Sequence, residues 1–142
     1  MLMATLSVKA NTEYTGEVMD FVAAELMRHD FPADLRPDIL IAAEEVFLNI
    51  ALYAYEPAQE GDVSLYVSVN GKVVIRFEDS GQPFDPLKRD APDLDTPVME
   101  RKIGGLGIHF ARNLMDEVEY RYANGKNILT ITKGVSKQNG NT

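Results

Sequence analysis

Between Pro37 and Pro57 the chain carries a stretch that can fold in few ways. Ile39 to Tyr55 contains no helix breaker, and Ile39, Ala42, Ala43, Val46, Phe47, Ile50, Ala51, Tyr53 and Ala54 cover most of a helical circumference. A helix that is apolar on so many sides has to be buried against more than one neighbour. Pro37 suits its first turn. The rest of the chain must supply the cover.

Part of it comes from Thr12 to about His29, where Val18, Phe21, Val22, Leu26 and Met27 recur at helical spacing and leave Glu17, Asp20 and Glu25 toward water. Asn11-Thr12 offers cap-forming side chains before this helix, and Met1 to Val8 reads as a first strand. Val63, Leu65, Val67 and Val69 alternate with polar residues, as do Val73, Ile75 and Phe77, and Asn70-Gly71 between them predicts an antiparallel hairpin. A second hairpin is expected from Val118–Tyr122 and Ile128–Thr132 around Asn124-Gly125, after a short helix from Ile108 to Met115. Ser80 to Gly107, with Pro83, Pro86, Pro92 and Pro97, reads as a long loop. The order predicts an α+β fold: a two-layer sandwich whose mainly antiparallel sheet is covered on one face by three helices. One domain is expected over residues 1–135, with a frayed polar tail over 136–142.

Composition removes several function classes. The formal charge of −8, from 22 acidic and 14 basic residues, repels phosphate backbones and anionic lipid, so neither a nucleic acid nor a membrane is an expected partner. Such a field serves solubility, or the docking of a basic protein. With no cysteine, disulfides, thiolate metal sites and cysteine nucleophiles are excluded. His29 and His109 stand far apart, and neither a zinc nor a non-haem iron site is expected. No apolar run approaches a membrane span, and the N-terminus lacks the pattern of a signal peptide; a cytoplasmic location is expected.

Three groups of residues bear on chemistry. Glu45 and Asn49 stand four apart on the apolar helix and so project from the same side. Asparagine is a poor helix-interior residue, and a buried, unpartnered amide is costly. Either both reach solvent or a neighbouring loop, or something polar sits opposite them, such as Mg²⁺, which takes few protein oxygens beside phosphates. Asp79 continues the phase of Val73, Ile75 and Phe77 and therefore points to the core side. It either closes an Asx-type turn over Ser80-Gly81 or walls a cavity beside the sheet. Gly104-Gly105-Leu106-Gly107 precedes a helix, where glycines either simply turn the chain or let backbone N–H groups approach a phosphate.

In that fixed order the three groups resemble the ATPase fold shared by histidine kinases, heat-shock protein 90, type II topoisomerases and mismatch-repair ATPases. Ala43 to Asn49, Asp79 to Pro86 and Gly104 to Ile108 are similar to the boxes of one branch, the anti-sigma factor serine-protein kinases, and Leu114 to Tyr120 is similar to that branch's continuation. The resemblance spans nearly the whole chain. It implies ATP and Mg²⁺ as cofactors, Glu45 as general base and Asn49 as the Mg²⁺ ligand. It further implies Asp79 with Gly81 at the adenine, and Gly104, Gly105, Leu106 and Gly107 around the phosphates under a lid running from Phe84 to Ile103. The implied partners are a sigma factor, held inactive, and an anti-sigma factor antagonist protein, phosphorylated on serine or threonine. A homodimer is a further implication. The alternative is a nucleotide-dependent partner-switching module without phosphotransfer. The chain departs from the branch at Tyr53, where histidine is common, and at Lys126-Asn127, where Gly-Thr is common. Tyr53 on so apolar a helix reads most simply as core.

Overall fold

The computed structural model describes residues 3–83, 85–88 and 107–135. Strand β1 (Ala4–Lys9) leads through a 3-10 turn at Thr12–Tyr14 into helix α1 (Thr15–Arg28), and a second such turn at Ala33–Leu35 leads into α2 (Arg36–Tyr53). Then come β2 (Asp62–Val69), β3 (Lys72–Asp79), α3 (Gly107–Leu114), β4 (Glu117–Ala123) and β5 (Lys126–Gly134). The strands form one antiparallel sheet in the order β1-β2-β3-β5-β4. This is the expected α+β sandwich.

Strand register follows from period-2 burial. Leu65, Phe77 and Leu129 lie abreast on β2, β3 and β5, as do Val67, Ile75 and Ile131, so one face of the sheet is continuously apolar. Against it pack Val18, Val22 and Leu26 of α1, Ile39, Val46 and Phe47 of α2, and Ile108 and Ala111 of α3. Helix α2 touches both other helices, as its apolar circumference requires. The opposite face of the sheet is polar. There Ser7 and Ser64 share a hydroxyl hydrogen bond of 2.8 Å, and the Arg76 guanidinium stacks 4.4 Å from the Tyr66 ring centre.

The two hairpins turn differently. At the second, Asn124 and Gly125 both take positive φ, 56° and 76°, the signature of a type I′ turn. At the first only Gly71 does, at 74°. Helix α1 ends on Asp30 in the left-handed region, φ 53°, with Phe31 N–H bonded to Leu26 carbonyl and Asp30 N–H to Met27 carbonyl, the paired bonds of a Schellman cap.

Two α1 residues contradict the expected facing. Met27 is 62% exposed, whereas Glu25 is 7% exposed and paired with Arg28 and His29. At 100° per residue, position 25 returns almost to the azimuth of the fully buried Val18, while position 27 falls opposite it. The helical spacing was real, but Met27 was assigned to the wrong side of it. Tyr53 is likewise not core: it is half-buried and outside the apolar cluster among the described residues, and Tyr55 packs there instead.

The opening of the expected lid is partly described. Pro86–Lys88 forms a 3-10 turn whose Leu87 packs on the core, and Leu87 N–H donates to Asp85 Oδ1 at 2.9 Å. The remainder of that expectation, from 89 to 103 with Phe84, and the tail at 136–142 lie outside the described residues.

Candidate functional site

Asn49 lies seven residues after Ala42 and three after Val46, which puts it on the inward stripe of α2. Only 4% of it is exposed, and its side-chain carbonyl Oδ1 is buried with no hydrogen-bond partner. Leaving such an acceptor unmet costs about 1–3 kcal/mol, so the position is one a ligand can relieve. Glu45, one turn earlier, is half-buried; burial, and secondarily the neighbouring Glu44, hold its carboxyl above the ordinary 4.5.

Across from Asn49, Asp79 ends β3 on the apolar face and is 5% exposed. Its Oδ1 accepts from the Gly81 backbone N–H and from the Asn127 side-chain amide, each at 2.9 Å. The Asx-type turn is therefore present, but it occupies one carboxylate oxygen only. Burial lifts the Asp79 carboxyl above its ordinary value, opposed by these two hydrogen bonds and by the Lys126 charge. Between α2 and the sheet lies a narrow cleft lined by Asn49, Asp79, Asn127 and Tyr120 among the apolar Val46, Ile50, Phe77 and Leu129. A largely apolar slot with a few convergent polar groups is the form of a small-molecule site.

The turn after Asp79 is clamped onto the end of α2. A Cβ on Gly81 would stand 2.1 Å from the Ala54 carbonyl oxygen, so only glycine fits without a backbone shift. Tyr55 hydroxyl accepts from Ser80 N–H and donates to Asp62 carbonyl, both at 2.8 Å. Its ring fills the space where a Cβ on Gly61 would stand, 2.2 Å away.

Of the residues singled out from sequence, Asn49 and Asp79 line this cleft, Gly81 is bonded to Asp79 beside it, and Glu45 stands one turn along α2. Gly107 opens α3. Gly104, Gly105 and Leu106 lie outside the described residues. Sequence reasoning missed Asn127, Tyr120 and Tyr55. Asn127 is 6% exposed; its amide also donates to Gln82 carbonyl at 3.0 Å and reaches Gly81 carbonyl at 3.3 Å, and its Oδ1 accepts from Tyr120 hydroxyl. The one available signal was an asparagine standing early in a strand, in phase with buried Leu129 and Ile131.

Among the described residues no three His, Cys, Asp or Glu side chains gather to hold a metal. A single unmet amide oxygen suits a hard cation such as Mg²⁺, which completes its shell with water and phosphate oxygens. The donor set fits that ion and no zinc-like site.

Residues 8–133 match the family of the histidine kinase-like ATPase domain. The chain belongs to that family. Curated relatives include a serine-protein kinase RsbW of Halalkalibacterium halodurans, 30% identical over 132 residues that make up 90% of this chain and 80% of the relative. An RsbW of Listeria monocytogenes is 26% identical, over 94% of this chain and 88% of its own. A serine/threonine-protein kinase BtrW of Bordetella bronchiseptica is 27% identical over 89% of each. The similarity thus runs nearly end to end and to the serine-kinase branch of the family. No helix among the described residues is long and apolar enough to cross a membrane.

Proposed function

We propose that this chain is an ATP-binding anti-sigma factor that phosphorylates a serine or threonine of an antagonist protein and, in its other complex, holds a sigma factor inactive. The observation that carries the reading is the cleft itself: an unmet buried acceptor on α2, Asn49 Oδ1, faces a buried carboxylate on β3, Asp79, in a chain of the ATPase family. The names of the relatives support the acceptor chemistry, serine or threonine, and the regulatory partners follow from the resemblance to the anti-sigma factor branch.

In this reading Asp79 accepts from the adenine amino group, and Gly81 lets the turn close over the base. Asn49 holds Mg²⁺, which when bound offsets the triphosphate charge. Gly104, Gly105, Leu106 and Gly107 offer backbone N–H groups to the phosphates at the start of α3. Glu45 takes the proton of the attacking hydroxyl as its oxygen bonds to the γ-phosphorus and the bond to the ADP oxygen breaks. A carboxyl held above its ordinary pKa is a stronger base.

The test is transfer of labelled γ-phosphate to a co-encoded antagonist protein in the presence of Mg²⁺. Glu45→Gln keeps size and an acceptor oxygen but removes the base. It should bind nucleotide within a few-fold of wild type and lose transfer by roughly 10²–10⁴. If wild type transfers nothing, yet ATP alters its affinity for a sigma factor, the protein is a nucleotide-dependent binding module.

A further inference from the structure

Asp79 can select a base only if its free oxygen is fixed in direction and in protonation. The structure shows an unusual amount of material devoted to that. Asn127 sits directly opposite Asp79 in the β3–β5 register, and both side chains are nearly fully buried. The two hydrogens of its amide nitrogen are taken up by Asp79 Oδ1 at 2.9 Å and by the carbonyls of Gln82 at 3.0 Å and Gly81 at 3.3 Å. All three groups are acceptors, so a flipped amide would set its oxygen against them, and its carbonyl in the observed orientation accepts from the Tyr120 hydroxyl. Tyr120, Asn127 and Asp79 thus form a relay across β4, β5 and β3 in which each group has one orientation.

From this arrangement we infer that Asn127, held by Tyr120, is a positioning residue that sets base specificity, fixing Asp79 as an acceptor that takes a 6-amino purine and rejects a 6-oxo purine. The inference rests on the adenine role proposed for Asp79.

With Oδ1 engaged by Gly81 N–H and the Asn127 amide, the remaining oxygen of Asp79 is the acceptor left for the cleft. An amino group donates to it. A 6-oxo group sets a lone pair against it, and both acceptors then stay desolvated. Without the Asn127 amide the carboxylate retains only the Gly81 contact, is free to rotate, and loses one of the interactions that keep it ionised against burial. A protonated carboxyl donates to a 6-oxo group, and a carboxylate turned aside no longer opposes one, so the loss falls on discrimination and not on affinity alone.

The experiment is titration calorimetry of the full chain with Mg²⁺ and either ATP or inosine triphosphate, in which a 6-oxo group replaces the 6-amino group and N1 carries a proton. Wild type should favour ATP by roughly ten- to a hundredfold. Asn127→Ala should reduce this ratio by about tenfold, chiefly through a smaller loss for inosine triphosphate than for ATP. Tyr120→Phe removes only the hydroxyl that pins the amide and should reduce the ratio by a few-fold; it decides the matter if Asn127→Ala does not fold. A ratio unchanged in whichever variants fold, with both nucleotides weakened equally, makes Asn127 merely structural and overturns the inference. Wild type that binds neither nucleotide, or both alike, instead overturns the adenine role of Asp79 on which it rests.

Discussion

Two buried polar side chains of the cleft each leave one atom unspent. Asn49 Oδ1 is buried and unmet, and Asp79 commits one of its two oxygens to its own turn. If Asp79 reads adenine, Asp79→Asn should weaken ATP about ten- to a hundredfold, since one charge-assisted hydrogen bond is worth about 1.5–3 kcal/mol. Folding should survive, because an asparagine oxygen still accepts from Gly81 N–H and Asn127. Calorimetry reads the first, thermal unfolding the second, and unchanged affinity in a folded variant removes the adenine role. If Asn49 holds Mg²⁺, alanine takes away the protein's oxygen from a cation that uses few, so the gain in triphosphate affinity on adding Mg²⁺ should vanish while the domain stays folded. An Asn49→Ala protein whose affinity still rises with Mg²⁺ as wild type does would place the metal elsewhere.

Among elements, the junction of α2 with the β3 turn sets the shape of the cleft. Gly81→Ala drives a Cβ against the Ala54 carbonyl, a backbone atom that cannot swing aside. Overpacking of this kind costs about 1–3 kcal/mol, so the variant should melt several degrees lower and bind nucleotide more weakly; a variant with wild-type melting and affinity would show that the junction yields freely. Much of this layer was legible in the chain. Strands β2 and β3 alternate with a period of 2, α1 repeats near 3.6, and Asp79 could be placed inward by counting along β3 alone. Glu25 and Met27 were misassigned because a short apolar list does not fix azimuth to within a third of a turn. Asn127 was noticed only as a departure, since its role comes from facing Asp79, 48 residues away, and strand register is a property of the assembled sheet. Tyr55 was hidden for the same reason, its hydroxyl joining segments that meet only on folding.

At the scale of the whole molecule, the cleft couples folding to ligand and to pH, because Asn49 and Asp79 belong to the two layers of the sandwich. A ligand bound to the folded chain alone at about 100 times its Kd adds about 2.7 kcal/mol, which for a domain of this size raises Tm by on the order of 5–10 °C. Acid should erode that gain. The Asp79 carboxyl is raised in the fold above its ordinary 3.8 and the Glu45 carboxyl above 4.5, both chiefly by burial. A raised acid favours the fold fully below its unfolded pKa, and this contribution fades as pH climbs through the folded value. Through the acidic window starting near those ordinary values, the empty protein therefore gains relative stability from these two groups as pH falls. Over the same window Asp79 takes up a proton and ceases to be an acceptor, so the shift in Tm produced by Mg²⁺ and ATP should shrink. In Asp79→Asn the ligand-induced shift should be small at neutral pH and vary less on acidification, because the titrating acceptor is gone. Differential scanning fluorimetry across that window, with and without nucleotide, separates the two trends; a wild-type ligand shift that is flat in pH, or one that grows as pH falls, would mean that the ionised Asp79 carboxylate is not what the nucleotide binds.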